Sequence, residues 1–215
     1  MQKAEVRIRK ALWLAFLLVT CHLSLVTSLY PQTVINGSRT FLGGQTKRVW
    51  LPAAACQNVT ASVLWDVFPT LPPVAACVTG TNTVKGVAEF ADGADTLSMQ
   101  VTVMLPADFT GTLDATFKWY TSAITGSVVW QMATVCVGDA ETDDPAFNTA
   151  SVVIDAAKGT TLQLNDATIT GVTITGCAAG ELMHVKVLRN PAHASDDLAA
   201  TANLIGVELT TRRTQ

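Results

Sequence analysis

Charged side chains are scarce in this sequence: Asp, Glu, Lys and Arg make up 14%, against a usual share of roughly a quarter. That scarcity excludes long solvated helices, which need a charged face. Together with 49% apolar residues it also excludes a disordered chain. There is no basic stripe, and Arg212-Arg213 is too short to form one. The net charge is -3, so binding to nucleic acid through phosphate neutralisation is excluded. Histidine is almost absent, with His22, His184 and His193 the full set. A Ser/His/Asp triad drawn from His193, Ser195 and Asp196 fails because these are chain neighbours, whereas a working triad gathers groups from separate elements. No GxSxG elbow occurs. No CxxC pair occurs either, which excludes a clustered zinc site. Acidic residues are spread over several loops and favour no pair for glycoside hydrolysis. The chain is therefore read as a non-enzyme.

What is present begins with an export signal. Residues 1–10 carry Lys3, Arg7, Arg9 and Lys10 against Glu5, and an apolar run follows over residues 11–19. Val26-Thr27-Ser28 supplies small residues at its exit, the pattern of a secretory signal over residues 1–28. An uncleaved anchor helix is the rival reading, and it is the only route by which this chain would meet a membrane. Lipidation at Cys21 is disfavoured by the preceding Thr20. The expected location is secreted, cell surface or virion.

Four cysteines remain beyond the signal: Cys56, Cys77, Cys136 and Cys177. In an exported domain four cysteines fit two disulfides, with three connectivities open. Cys56 with Cys77 is preferred, because both lie in a Pro-rich stretch.

Residues 29–46 contain Asn36-Gly37 and Gly43-Gly44 and little periodicity, so a loop or extended lead-in arm is expected. A first short strand follows at residues 47–52, and residues 53–83 mix short strands with loops. Alternation is then strict. Leu97, Met99, Val101 and Val103 share one face; Leu113, Ala115, Phe117 and Trp119 share another. Period-two patterning of this kind marks half-buried strands. Residues 127–137 are apolar on both faces, as a central strand would be. Further strands are expected at residues 150–155, 160–164, 167–175, 182–189 and 202–211. A short helix at residues 195–202, capped by Ser195, is the sole helical signal. The sum is an all-β domain over residues 47–215: an antiparallel two-sheet β-sandwich of jelly-roll type, with about eight to ten strands.

Two groups of side chains suggest ligands. The loop after residue 137 holds four carboxylates in six residues. Asp139, Glu141 and Asp143 alternate along it, as oxygen ligands to a structural calcium ion would; the alternative is a solvated acidic loop. No other cofactor is expected. Among the aromatics, Trp119 and Trp130 lie in apolar patterns and belong to the core. Trp50 is a further tryptophan, while Trp65 and Tyr120 are the expected exposed rings for stacking on a glycan. Asn36-Gly37-Ser38 and Asn58-Val59-Thr60 match the glycosylation pattern.

Several runs carry a resemblance over residues 47–211. They are Val49-Trp50-Leu51-Pro52-Ala53, Val103-Met104-Leu105-Pro106, Phe117-Lys118-Trp119 and Gly126-Ser127-Val128-Val129-Trp130. Val187-Leu188-Arg189, Ala194-Ser195-Asp196-Asp197-Leu198-Ala199 and Leu204-Ile205-Gly206-Val207 continue the series. In this order they resemble uncharacterised jelly-roll β-sandwich proteins encoded in tailed-phage and environmental viral genomes, which are virion-associated. The resemblance implies a domain used in assembly or surface attachment and supplies no catalytic residue. Phage virion proteins assemble in the cytoplasm, so the export signal points to a cellular relative, such as a surface or filament subunit. The first expectation is a structural or attachment subunit, virion, surface or filament, whose main partner is a second copy of itself. The alternative is a secreted carbohydrate-binding module whose partner is a surface glycan.

Overall fold

The computed structural model describes residues 33–35, 38–40, 45–57, 60–63, 65–67 and 71–213. The export segment, Cys21, Asn36 and Asn58 lie outside these residues. The chain divides into two units, one of residues 44–214 and one holding the residues before it. In the latter, β1 (Thr33–Ile35) pairs antiparallel with β2 (Ser38–Thr40). The expected lead-in arm thus contains a hairpin, whose strands are separated in sequence by Asn36-Gly37, a strong hairpin signal.

The larger unit begins with β3 (Gln45–Pro52), β4 (Ala54–Gln57), β5 (Thr60–Val63), β6 (Asp66–Val67) and β7 (Val74–Thr79). Then come β8 (Val84–Phe90), β9 (Leu97–Met104), β10 (Phe109–Tyr120), β11 (Ser127–Val137) and β12 (Ser151–Ala156). The last are β13 (Asn165–Ile169), β14 (Leu182–Arg189) and β15 (Ala202–Arg213). No helix occurs among the described residues.

The strands from β8 onward pair in nested fashion: β8 with β15, β9 with β14, β10 with β13 and β11 with β12. This is one long ribbon doubled back between β11 and β12 and then rolled, so that its pairs alternate between two sheets. The first sheet runs β13-β10-β15-β8-β7, with β3 also on β15; the second runs β12-β11-β14-β9-β6. All pairings are antiparallel. That nesting is the jelly roll.

The alternation read in the sequence fixes which side chains face inward. In β10, Leu113, Ala115, Phe117 and Trp119 are fully buried. Across from them on β11, Trp130 is the hub of the core. Its ring stacks on Phe117 at 5.4 Å and meets Phe90 edge-on at 5.1 Å and Trp119 at 6.3 Å. Aromatic pairs at such distances add roughly 0.5–1.5 kcal/mol each beyond their buried area, so this cluster ties sheet to sheet. β4 and β5 pair with each other, and β4 runs very close to β8: a Cβ at Gly86 would sit 2.5 Å from the Ala54 carbonyl oxygen. Cys56 is bonded to Cys77, joining β4 to β7, and Cys136 to Cys177, joining β11 to the loop before β14.

Three local expectations need correction. Residues 160–164 form no strand, because Leu162 adopts a φ of 61°, outside the extended range. The strand expected over residues 167–175 begins earlier and stops at Ile169, before Gly171 turns at a φ of 72°. The helix expected at residues 195–202 is absent. Its Asp196 and Asp197 carboxylates instead accept the backbone N–H groups of Val129 and Ser127, at 2.9 and 2.6 Å.

Candidate functional site

β3 alternates in the same way as the core strands. Val49 and Leu51 pack against the core, which turns Arg48 and Trp50 to the outer face of the first sheet. Trp50 is 46% exposed. It rests on Gly206: a Cβ at that glycine would stand 2.6 Å from Trp50 Cζ2 and 2.7 Å from Cη2. Only glycine leaves room for the ring to lie so close to the sheet. The indole thus touches the sheet at Gly206 and keeps nearly half its surface open to solvent.

Register places polar side chains in rows beside it. Trp50 lies opposite Glu208, Glu208 opposite Thr116 and Thr116 opposite Thr168. In the adjacent row Gly206 lies opposite Lys118 and Lys118 opposite Asp166. Arg48 reaches Glu208 at 3.3 Å, Lys118 reaches Asp166 at 2.5 Å, and the Thr116 and Thr168 hydroxyls are 2.9 Å apart. Four strands at about 4.8 Å spacing make this face about 14 Å wide from β3 to β13. It offers one flat apolar ring and an alternation of hydroxyls, cations and carboxylates. A ligand suited to it has an apolar face and many hydroxyl groups.

The rings expected to be exposed are not. Trp65 is 5% exposed and belongs to the core, where its Nε1 donates to the Pro52 carbonyl at 2.9 Å. Tyr120 is 3% exposed, and the Lys85 ammonium stands 4.5 Å from its ring centre. Burial, with the Glu89 charge second, pushes the Tyr120 phenol above 10.0. Neither ring can stack on a sugar in this conformation. Trp50 was readable as an aromatic in a short strand. Its exposure was not readable, because Val49, Trp50 and Leu51 are consecutive apolar residues and leave the buried face of β3 undecided.

The acidic loop is also corrected. Glu141 closes its own turn, with the Gly138 N–H donating to Glu141 Oε2 at 2.7 Å. Asp139 lines a shallow cavity of about 470 Å³ with Glu181, and Glu181 Oε2 is taken by the Ala178 N–H at 2.7 Å. Among the described residues no group of three or more His, Cys, Asp or Glu could hold a metal ion. Asp139, Glu141 and Asp143 are therefore not gathered around a calcium position. Of the three, Glu141 is spent on a local backbone donor.

The triad residues are likewise committed elsewhere. His193 Nδ1 accepts the Ser195 backbone N–H at 3.1 Å. Asp196 grips the fully buried Arg189, with contacts of 2.8 Å to Nη2 and 3.2 Å to Nε. Arg189 also donates to the carbonyls of Phe90, Leu198 and Ala200. His184 Nδ1 is 2.8 Å from the Thr102 hydroxyl.

No protein-family model matches the chain, and no curated protein matches it. Solved structures do show likenesses. The CBM35 module from Cellvibrio japonicus Abf62 is 12% identical with a TM-score of 0.40, covering 76% of this chain and 92% of its own. The CBM36-1 domain of a multidomain xylanase from the hindgut metagenome of Trinervitermes trinervoides is 11% identical with a TM-score of 0.38, covering 77% and 96%. The structure of the infectious bursal disease virus Gt strain is 11% identical with a TM-score of 0.35, covering 84% and 53%. Likenesses at this level assign no ligand and no viral origin to this chain.

Proposed function

We propose that the protein is an exported, non-catalytic carbohydrate-binding module that takes a glycan on the outer face of its first sheet. The observation that carries this reading is Trp50, its ring in close contact with Gly206 and exposed beside two ion pairs and two threonine hydroxyls. Binding sites combine a large apolar surface with a few fixed polar groups that set orientation. Arg48, Glu208, Lys118 and Asp166 are fixed by their mutual contacts and supply such groups. The two disulfides suit an oxidising compartment. Affinity electrophoresis in polysaccharide gels, followed by a glycan array, tests the proposal. Trp50→Ala should weaken binding of any glycan found by about thirtyfold or more, the scale of a central tryptophan hot spot worth about 2 kcal/mol. Unchanged retention by Trp50→Ala would remove the site.

A second reading, self-association of a structural or attachment subunit, draws on β12. It is the edge of the second sheet, and its Val152 and Ile154 are exposed. An edge strand with unpaired backbone groups and apolar side chains is a template for pairing with another chain. Light scattering across a concentration series should then show oligomers that Ile154→Lys dissolves. A monomer at every concentration argues against this assembly.

A further inference from the structure

We propose a second binding site, independent of the Trp50 face, for a medium-length alkyl chain bearing an anionic head. Between the two sheets, where β9 ends and β14 begins, lies a cavity of about 280 Å³. Its walls come from both sheets: Leu113 and Leu209 from the first, Val103 and Met183 from the second. Leu113, Leu209 and Met183 are core residues with almost no exposure and close the inner end of the cavity, while Lys47, Val49, Val103 and Met104 supply its accessible wall. Met104, exposed at 70%, stands at its rim. A long unbranched side chain there yields easily to an entering ligand.

Lys47 is the sole charged side chain among the lining residues. It belongs to the inward-facing row of β3, opposite Thr211. No carboxylate among the described residues forms an ion pair with it. An apolar chamber with one such cation at its mouth is complementary to a carboxylate on a hydrocarbon chain. A cavity of roughly 150 Å³ lined by apolar residues accommodates benzene, so about 280 Å³ has room for roughly ten carbons on that scale. A sugar does not fit this description, since the walls offer its hydroxyls almost no partner.

Calorimetric titration of the full chain with hexanoate, octanoate and decanoate, each below its micelle concentration, tests the proposal. Affinity should rise about fifteenfold per two-carbon step, as burial of two methylenes requires. Lys47→Gln should weaken octanoate by up to about fivefold, the range of a solvent-exposed ion pair, and leave 1-octanol unchanged. Val103→Trp, which fills the chamber, should abolish binding of both. Trp50→Ala should alter neither, which separates this site from the glycan proposal. Absence of binding, affinity independent of chain length, or loss on Trp50→Ala would overturn the assignment. If Val103→Trp does not fold, the chain-length series and Lys47→Gln decide the matter.

Discussion

Asp155 shows how a single side chain is priced by its surroundings. It lies on the inward row of β12, and its Oδ2 accepts the indole N–H of Trp119 at 2.8 Å. Burial raises its pKa above 3.8, opposed by the Trp119 hydrogen bond and the Lys158 charge. The folded state therefore binds this proton more tightly than the unfolded chain does. Stability from this group is complete below the unfolded value and is lost as pH rises through the raised folded value. Asp155→Asn keeps an acceptor for Trp119 and removes the titration. Urea unfolding at a series of pH values should show the variant gaining on the wild type from about pH 3.8 upward, then levelling off. A difference curve flat across that window contradicts the assignment. Nothing in the sequence marks Asp155, because its hydrogen-bond partner Trp119 is 36 residues away. The same holds for Gly206, where a Cβ would meet both the Leu51 carbonyl oxygen and the Trp50 ring on the neighbouring strand.

At the level of elements, alternation was the readable signal. β9, β11 and β14 were expected at nearly their observed limits, since their apolar faces are regular; β10 was expected over residues 113–119 alone and begins earlier, at Phe109. β8 was not expected as a strand. Gly86 interrupts its pattern, and that glycine is there because β4 passes beneath it. The segment after β14 failed in the opposite direction: its capping serine and two aspartates have the local look of a helix start. Asp196 instead locks Arg189, and so fastens the end of β14 to the turn beyond it and, through the Phe90 carbonyl, to the end of β8. Both partners are fully buried. Removing Asp196 leaves the buried Arg189 with only the half-exposed Asp92 carboxylate, 3.6 Å away, as a counter-charge, and breaking a buried pair costs about 3–5 kcal/mol. Asp196→Ala should lose stability on that scale in urea unfolding, and a loss under about 1 kcal/mol would mean that Asp92 and the carbonyls suffice to hold Arg189.

For the molecule as a whole, fold class was legible and partnership was not. Strand count, low charge and turn spacing indicate two sheets whatever the connectivity. The nested pairing depends on which strands meet across most of the chain, and no local pattern records that. The disulfides belong to the same scale. Their cysteines are 21 and 41 residues apart, so on a chain-entropy view closing these loops stabilises the fold by about 3 and about 4 kcal/mol. The Trp50 face is likewise a property of the assembled sheet, since its rows come from β3, β15, β10 and β13.

The place of β15 in the first sheet has a consequence for how the domain is made. This strand is bonded to β10 along one edge and to β8 and β3 along the other. Yet it comes last in the chain among the fifteen strands of the described residues. Until Ala202–Arg213 has left the ribosome, the first sheet exists as separate pieces with a gap at the middle. Folding of the sandwich is therefore a late event, and a nascent chain stalled before residue 202 would be a substrate for chaperones rather than a partly finished domain.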